Sequence, residues 1–388
     1  MVEATVRPNA IEVPLASVRT PRLFGIASAA GDAVYLRQLD GLRAVAVFGV
    51  LVSHLTAFGD RGGSYGVALF FVLSGYLITG ILLRCKGMVE AGQLVPVTLY
   101  RFYMRRFLRI LPIVYLVLMI GWLLGDLEIR RLIWWHLGYI SNFLFAAQGF
   151  PEKTAHFWSL AVEEQFYFIW PLFIILCPRR AIMPVTVSLI GVSAIFRIVA
   201  ADGLGLEYPE VLTPWVIDEL CFGALLSLAE GDGRAAAAIA WGGPPAALVA
   251  MLWFFNLLPF AEDKVAAMSV VFCCRGLAFA WFVGLAARGD IRVLGASFLV
   301  FIGRISYGIY VYHPFVDTIY EKIGENYHDI LSCWPVRLTI VTVVSVVLAT
   351  ISCYFLESPI NSLKRYFPYS VSPKPNIFLV PASRSNSR

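Results

Sequence analysis

Apolar residues along this chain come in blocks of roughly 15 to 22, separated by short polar connectors. A block of that length matches a helix that crosses a bilayer, which needs about 20 residues at 1.5 Å each. The pattern predicts ten such helices, over roughly 42–58, 66–84, 107–125, 165–178, 182–200, 214–229, 236–256, 266–287, 298–319 and 336–356. The expected fold class is all-α, a polytopic integral membrane protein of about ten transmembrane helices. A further block, 132–149, is apolar and aromatic enough to cross. Counting it as a span would turn Arg179 and Arg180 to the outer side. It is therefore expected to lie in the outer interface or to re-enter, where Trp and Tyr are favoured. No internal repeat and no inverted pair of broken helices is visible.

Charge then sets the orientation. The connector 84–109 carries Arg84, Lys86, Arg101, Arg105, Arg106 and Arg109 against Glu90 alone, and it is expected inside. Arg19, Arg22, Arg37 and Arg43 follow it there, as do Arg179–Arg180, Arg234, Arg288, Arg292 and Lys364–Arg365. Asp202, Glu207, Glu210, Glu262 and Asp263 fall outside. Both termini are thus expected in the cytoplasm, with an N-terminal tail (1–35), a membrane domain (36–360) and a C-terminal tail (361–388). The N-terminal tail has no apolar core of its own, so no cleavable signal peptide is expected.

Composition agrees with this picture. Of 388 residues, 59% are hydrophobic and 15% charged, and the mean hydropathy is +0.73, which excludes a soluble enzyme with a single anchor. The net charge of +5 is modest and sorts by loop. The apolar blocks imply the lipid bilayer as a partner, and no nucleic acid is expected. The seven cysteines are scattered, with neither a disulfide framework nor metal-ligand spacing.

His54 stands in the first apolar block, eleven residues after Arg43 and so about 16 Å from it along a helix. A histidine there is costly unless it has a partner or a task. It is either a packing histidine bonded to a backbone carbonyl or a general base able to take a proton from an attacking hydroxyl. Asp40 and Arg43 are one turn apart, a boundary ion pair or part of a site. Arg101, Arg105, Arg106 and Arg109 serve orientation, or a phosphate site in which Arg106 and Arg109 share a face and Arg304 joins them. Ser74–Gly75 reads as a small pair for close helix packing, since no base adjoins Ser74 in sequence. Glu163 and Glu164 are expected at the N-terminus of the fourth helix, capped by Ser159, with Glu163 open to a role beside His54. His313 precedes Pro314, which frees the carbonyl of Tyr310. His136 and His328 read as structural, and His156 is placed in an outer loop.

Five segments occur in an order that resembles the membrane-bound acyltransferase family 3. They are LDGLRA (39–44) with His54, FFVLSGY (70–76), FYMRRFLRILP (102–112), FWSLAVEEQFY (157–167) with Trp170–Pro171, and ISYGIY (305–310) with His313–Pro314. The resemblance covers residues 36–360. It implies an acyl-coenzyme A donor, acetyl-coenzyme A first among candidates, and O-acylation of an extracytoplasmic carbohydrate such as an exopolysaccharide or O-antigen. It implies the bacterial inner membrane as location. The family's essential histidine matches His54, its first arginine Arg43, its paired arginines Arg106 and Arg109, and its acidic residue Glu163. Some members add a soluble C-terminal domain that is not expected here. The candidate catalytic set is then His54, Glu163 and Asp40; the donor-binding set is Arg43, Arg106, Arg109 and Arg304; no metal is expected. A transporter or flippase of a lipid-linked glycan, with His54 and Glu163 as a proton relay, is the alternative, and a membrane scaffold a third.

Overall fold

The computed structural model describes residues 36–56, 61–203, 205–258, 265–324 and 333–369. Arg19, Arg22, Glu262, Asp263, His328, the side chain of Asp202, the N-terminal tail and residues 370–388 of the C-terminal tail lie outside these. The elements are α1 (Arg37–Leu55), α2 (Arg61–Glu90), α3 (Val95–Leu123), α4 (Leu127–Leu137), α5 (Ser141–Gln148) and α6 (Phe157–Leu176). They continue with α7 (Arg179–Gly203), α8 (Thr213–Ala229), α9 (Gly233–Phe254), α10 (Val265–Arg288), α11 (Ser297–Gly324) and α12 (Trp334–Ser352). A π-turn (Cys353–Glu357) and a short helix (Ser358–Ser362) prolong α12. No strand occurs among the described residues.

Among the described residues, nine helices are long and apolar enough to cross a membrane. The 28-residue α11 has the length too, but Arg304, His313 and its tyrosines dilute its apolar run. With it, the all-α polytopic expectation holds. The block 132–149 is broken into α4 and α5 by Gly138–Ile140, where Tyr139 takes φ 52°. Eleven and eight residues reach about 16 and 12 Å, short of the ~30 Å hydrocarbon core. One expectation is corrected. The fourth predicted span starts at Phe157 rather than near 165, so Glu163 and Glu164 sit in its second turn and not at its N-terminus. Ser159 caps nothing there; its hydroxyl is used elsewhere.

α1 lies inside the bundle, packed by α2, α10, α11 and α12. The apolar window of α8 is 72% buried and that of the α12 region only 17%, so α8 is core and α12 faces lipid. Two close approaches fix the site. Gly75 of α2 lies against the backbone of Leu220, and Gly223 of α8 against that of Val72, so a Cβ at either would collide with main chain. The Ser74–Gly75 pair therefore does permit close packing. Gly303 of α11 rests on the backbone of Asp40, and this contact brings Arg304 to the start of α1.

Candidate active site

At the start of α1, Arg43 donates to Asp40 at 2.7 Å, and the Nε of Arg304 lies 3.8 Å from the other oxygen of that carboxylate. Asp40 is almost buried and holds two guanidinium groups that α1 and α11 bring from different parts of the chain. Arg106 and Arg109, one turn apart on α3, complete the set around a cavity of about 830 Å³. Among the described residues no carboxylate lies within ion-pair distance of either. The Nε of Arg106 is buried without a hydrogen-bond partner, as are those of Arg197 and Arg275 elsewhere in the bundle; what sets Arg106 and Arg109 apart is the open space they line without a carboxylate partner. Arg101 and Arg105 do something else: they donate to the backbone oxygens of Tyr369, Lys364 and Phe367 and clasp the chain after α12 to α3.

Glu163 lines the same cavity. Its carboxylate accepts from the hydroxyl of Ser74 at 2.7 Å, and Ser74 in turn accepts from Tyr167 at 2.8 Å. Here the sequence reading of Ser74 falls short. The carboxylate comes from α6, 89 residues away, and no local spacing reveals it. Glu163 is thus tied to Ser74, and through it to Tyr167.

The cavity runs along α2 from Ile78 to Val67, about 16 Å of helix, and ends against Ser159 and Tyr310. Their hydroxyls are 2.6 Å apart and each lies 3.1 Å from the carbonyl oxygen of His156, so one hydroxyl donates to the other and that one donates to the carbonyl. Beyond Tyr310 stands a histidine pair. His54 Nδ1 lies 2.9 Å from His313 Nε2, with the rings stacked at 5.1 Å. His313 is buried, while His54, in the last turn of α1, is exposed.

The pair's tautomers follow from its contacts. His313 Nδ1 faces two backbone oxygens, Tyr310 at 2.8 Å and Ile309 at 3.2 Å. Carbonyls only accept, so the proton of a neutral His313 is on Nδ1 and its Nε2 carries the lone pair. That lone pair accepts from Nδ1–H of His54, which leaves the basic lone pair of His54 on Nε2. Pro314 contributes by having no N–H, so the Tyr310 carbonyl is available to His313. His156 was missed as a neighbour. It is buried, 5.6 Å from the His313 ring, with neither nitrogen hydrogen-bonded. His136 is buried against Phe157, and burial pushes its imidazole down to about 4, which fits the structural reading.

Comparison with known proteins bears on this arrangement. The chain is 27% identical over 370 residues to peptidoglycan O-acetyltransferase OatA of Listeria monocytogenes, covering 86% of this chain and 57% of that one. It is 28% identical over 388 residues to O-acetyltransferase OatA of Staphylococcus aureus, covering 88% and 59%. The chain thus spans under three fifths of the length of these relatives. No solved structure matches it. The family model described as "Acyltransferase domain" matches residues 36–356, most of the chain and all five motif segments, and this protein belongs to that family.

Proposed function

We propose that the protein is a transmembrane O-acyltransferase of the bacterial cytoplasmic (inner) membrane. It moves an acyl group, acetyl by analogy with the relatives' names, from acyl-coenzyme A to a hydroxyl of an extracytoplasmic carbohydrate. The observation that carries this reading is the division of α1. One end bears an arginine-lined cavity suited to a polyanion, and the other bears a histidine whose tautomer is set for base catalysis. Arg43, Arg106, Arg109 and Arg304 hold the donor's phosphates, with Asp40 orienting two of them. The pantetheine arm extends along α2 toward Ser159 and Tyr310.

His54 Nε2 takes the proton of the acceptor hydroxyl as its oxygen attacks the thioester carbonyl. Through Nδ1–H, the buried His313 steadies the imidazolium that forms, as a fixed acceptor. The Ser159 hydroxyl, turned from the His156 carbonyl, donates to the carbonyl oxygen as it becomes negative. The carbon–sulfur bond then breaks, and the proton on Nε2 passes to the departing thiolate. Transfer requires the Tyr310 ring, packed edge-on to Phe70 at 6.2 Å, to swing from between the cavity and the histidines.

The test is mass spectrometry of surface glycans from cells carrying wild type or His54→Ala. The acyl ester is expected to fall by about 10²- to 10⁴-fold while the variant remains inserted in the membrane. Ester at wild-type levels in that variant sinks the proposal.

A further inference from the structure

A second groove, of about 780 Å³, opens beside the arginine-lined cavity. It lies between α3, α11 and the continuation of α12. Arg109, Arg304 and Tyr307 line both spaces, so the two share a wall. The far side of the groove is built by the π-turn and the short helix after it, with Glu357, Ser358, Asn361 and Ser362. π-turns are rare and tend to mark functional sites, because the extra residue resets which side chains face a given direction. Glu357 and Asn361, four apart, both face the groove. The clasp of Arg101 and Arg105 on residues 364–369 fixes this wall against α3.

Two atoms in this wall have no account within the protein. Glu357 Oε1 and Asn361 Oδ1 are buried and accept no hydrogen bond. A buried acceptor left unmatched is expensive, and a carboxylate beside a polyanion site repels the ligand unless the ligand brings donors. Whatever occupies the groove therefore carries negative charge toward Arg109 and Arg304 and N–H donors toward Glu357 and Asn361.

We propose that this groove is the nucleobase subsite of the donor, in which Glu357 and Asn361 accept from the exocyclic amine of adenine. The inference rests on the acyl-coenzyme A reading above and adds a specificity element to it. The order of parts agrees. In coenzyme A the phosphates lie between the base and the pantetheine arm; here the shared arginines lie between the groove and the cavity that leads to Ser159 and Tyr310. An adenine amine has two hydrogens for the two unmatched oxygens. A hypoxanthine base in its place presents a carbonyl oxygen to a carboxylate, losing both bonds and adding repulsion.

The experiment is binding of coenzyme A and of its hypoxanthine analogue to the full chain in lipid nanodiscs. Wild type is expected to bind the analogue about 10- to 100-fold more weakly, the cost of unmatched buried acceptors. Glu357→Gln should narrow that gap, because a carboxamide can donate to the carbonyl. Asn361→Ala should narrow it by weakening only the natural ligand. Equal affinity of wild type for the two ligands overturns the inference and leaves the donor reading intact. A gap that persists in both variants overturns it as well, since the base is then read elsewhere. If wild type binds neither ligand, the donor reading falls and this inference with it. The wild-type comparison needs no variant to fold.

Discussion

Arg197 and Arg275 lie between α7, α8 and α10 with Asp218 and Glu219; Arg43, Arg106, Arg109 and Arg304 lie at one end of α1 with Asp40 and Glu163. In the first cluster each cation has its own carboxylate. Arg197 meets Asp218 at 2.7 Å with side chains 2% and 0% exposed, and Arg275 is paired with Glu219. Further bonds run from Arg197 to the Trp215 carbonyl at 2.7 Å and from Arg275 to Ser64 at 2.5 Å. Among the described residues, the second cluster sets four cations against two carboxylates around a cavity. An unmatched Nε does not separate the two, since Arg106, Arg197 and Arg275 each bury one. Charge balance does. Buried arginines each matched by a carboxylate hold helices together, while cations that outnumber carboxylates around open space suit an anion.

The largest effect expected from this contrast is on folding. Arg197→Ala strands Asp218 as a lone buried charge and should cost about 3–5 kcal/mol, read as loss of monodisperse protein in detergent. Replacing both partners together, Arg197→Met with Asp218→Leu, should restore most of it, because an apolar pair of similar volume has no desolvation cost. If the double variant is as unstable as the single one, the cluster does more than pair charges.

The arginine-lined cavity should behave in the opposite way. Arg106→Lys with Arg109→Lys is expected to leave folding and orientation unchanged, since lysine serves the positive-inside bias equally well. The donor's KM should nevertheless rise about 10- to 100-fold, because an ammonium cannot match phosphate oxygens bidentately. Wild-type KM in that variant would return both residues to a topological role.

How far the sequence showed this contrast is instructive. Helix number and the status of 132–149 follow from apolar length and loop charge, which are local properties. The arginine cluster around the cavity was visible because Arg106 and Arg109 stand together in one basic stretch. The paired cluster was not singled out, although Arg197, Asp218, Glu219 and Arg275 are charges inside apolar blocks. Each partner comes from another helix, so only tertiary packing shows that they cancel. The same limit hid the Ser74–Glu163 bond and the His54–His313 pair, whose members are 89 and 259 residues apart. The start of α6 was misplaced because two adjacent glutamates look like a boundary. Glu163 is tolerated inside the helix because Ser74 and the cavity receive it.

A smaller effect sharpens the place of Asp40, grouped by sequence with the catalytic residues. Its carboxylate holds Arg43 and Arg304 at the far end of α1 from His54, a positioning role. Asp40→Asn should therefore raise the donor's KM several-fold, up to about tenfold for one charged hydrogen bond, and leave kcat nearly unchanged. A fall in kcat at unchanged KM would put Asp40 into the chemistry instead.

The smallest effect belongs to a third charge pair, outside the spanning helices. Lys153 Nζ lies 2.5 Å from Asp126, the residue that caps α4 by accepting from the backbone N–H of Ile129. Burial pushes the Asp126 carboxyl up, but Lys153 and the backbone donors outweigh it, and the net shift is downward from 3.8. A carboxyl whose folded pKa is depressed contributes stability that is fully present above its unfolded value and is lost as pH falls through the folded one. At pH 7 Lys153→Ala should thus cost about 1 kcal/mol or less, because both side chains are partly exposed and screened. As pH falls below 3.8 and through the depressed folded value, the carboxyl protonates and the difference should shrink toward zero. Thermal unfolding of the two proteins in detergent, followed from pH 7 downward until the wild-type carboxyl is protonated, measures this. A difference that stays undiminished through that titration would mean that Lys153 acts through packing of its alkyl stem rather than through its charge.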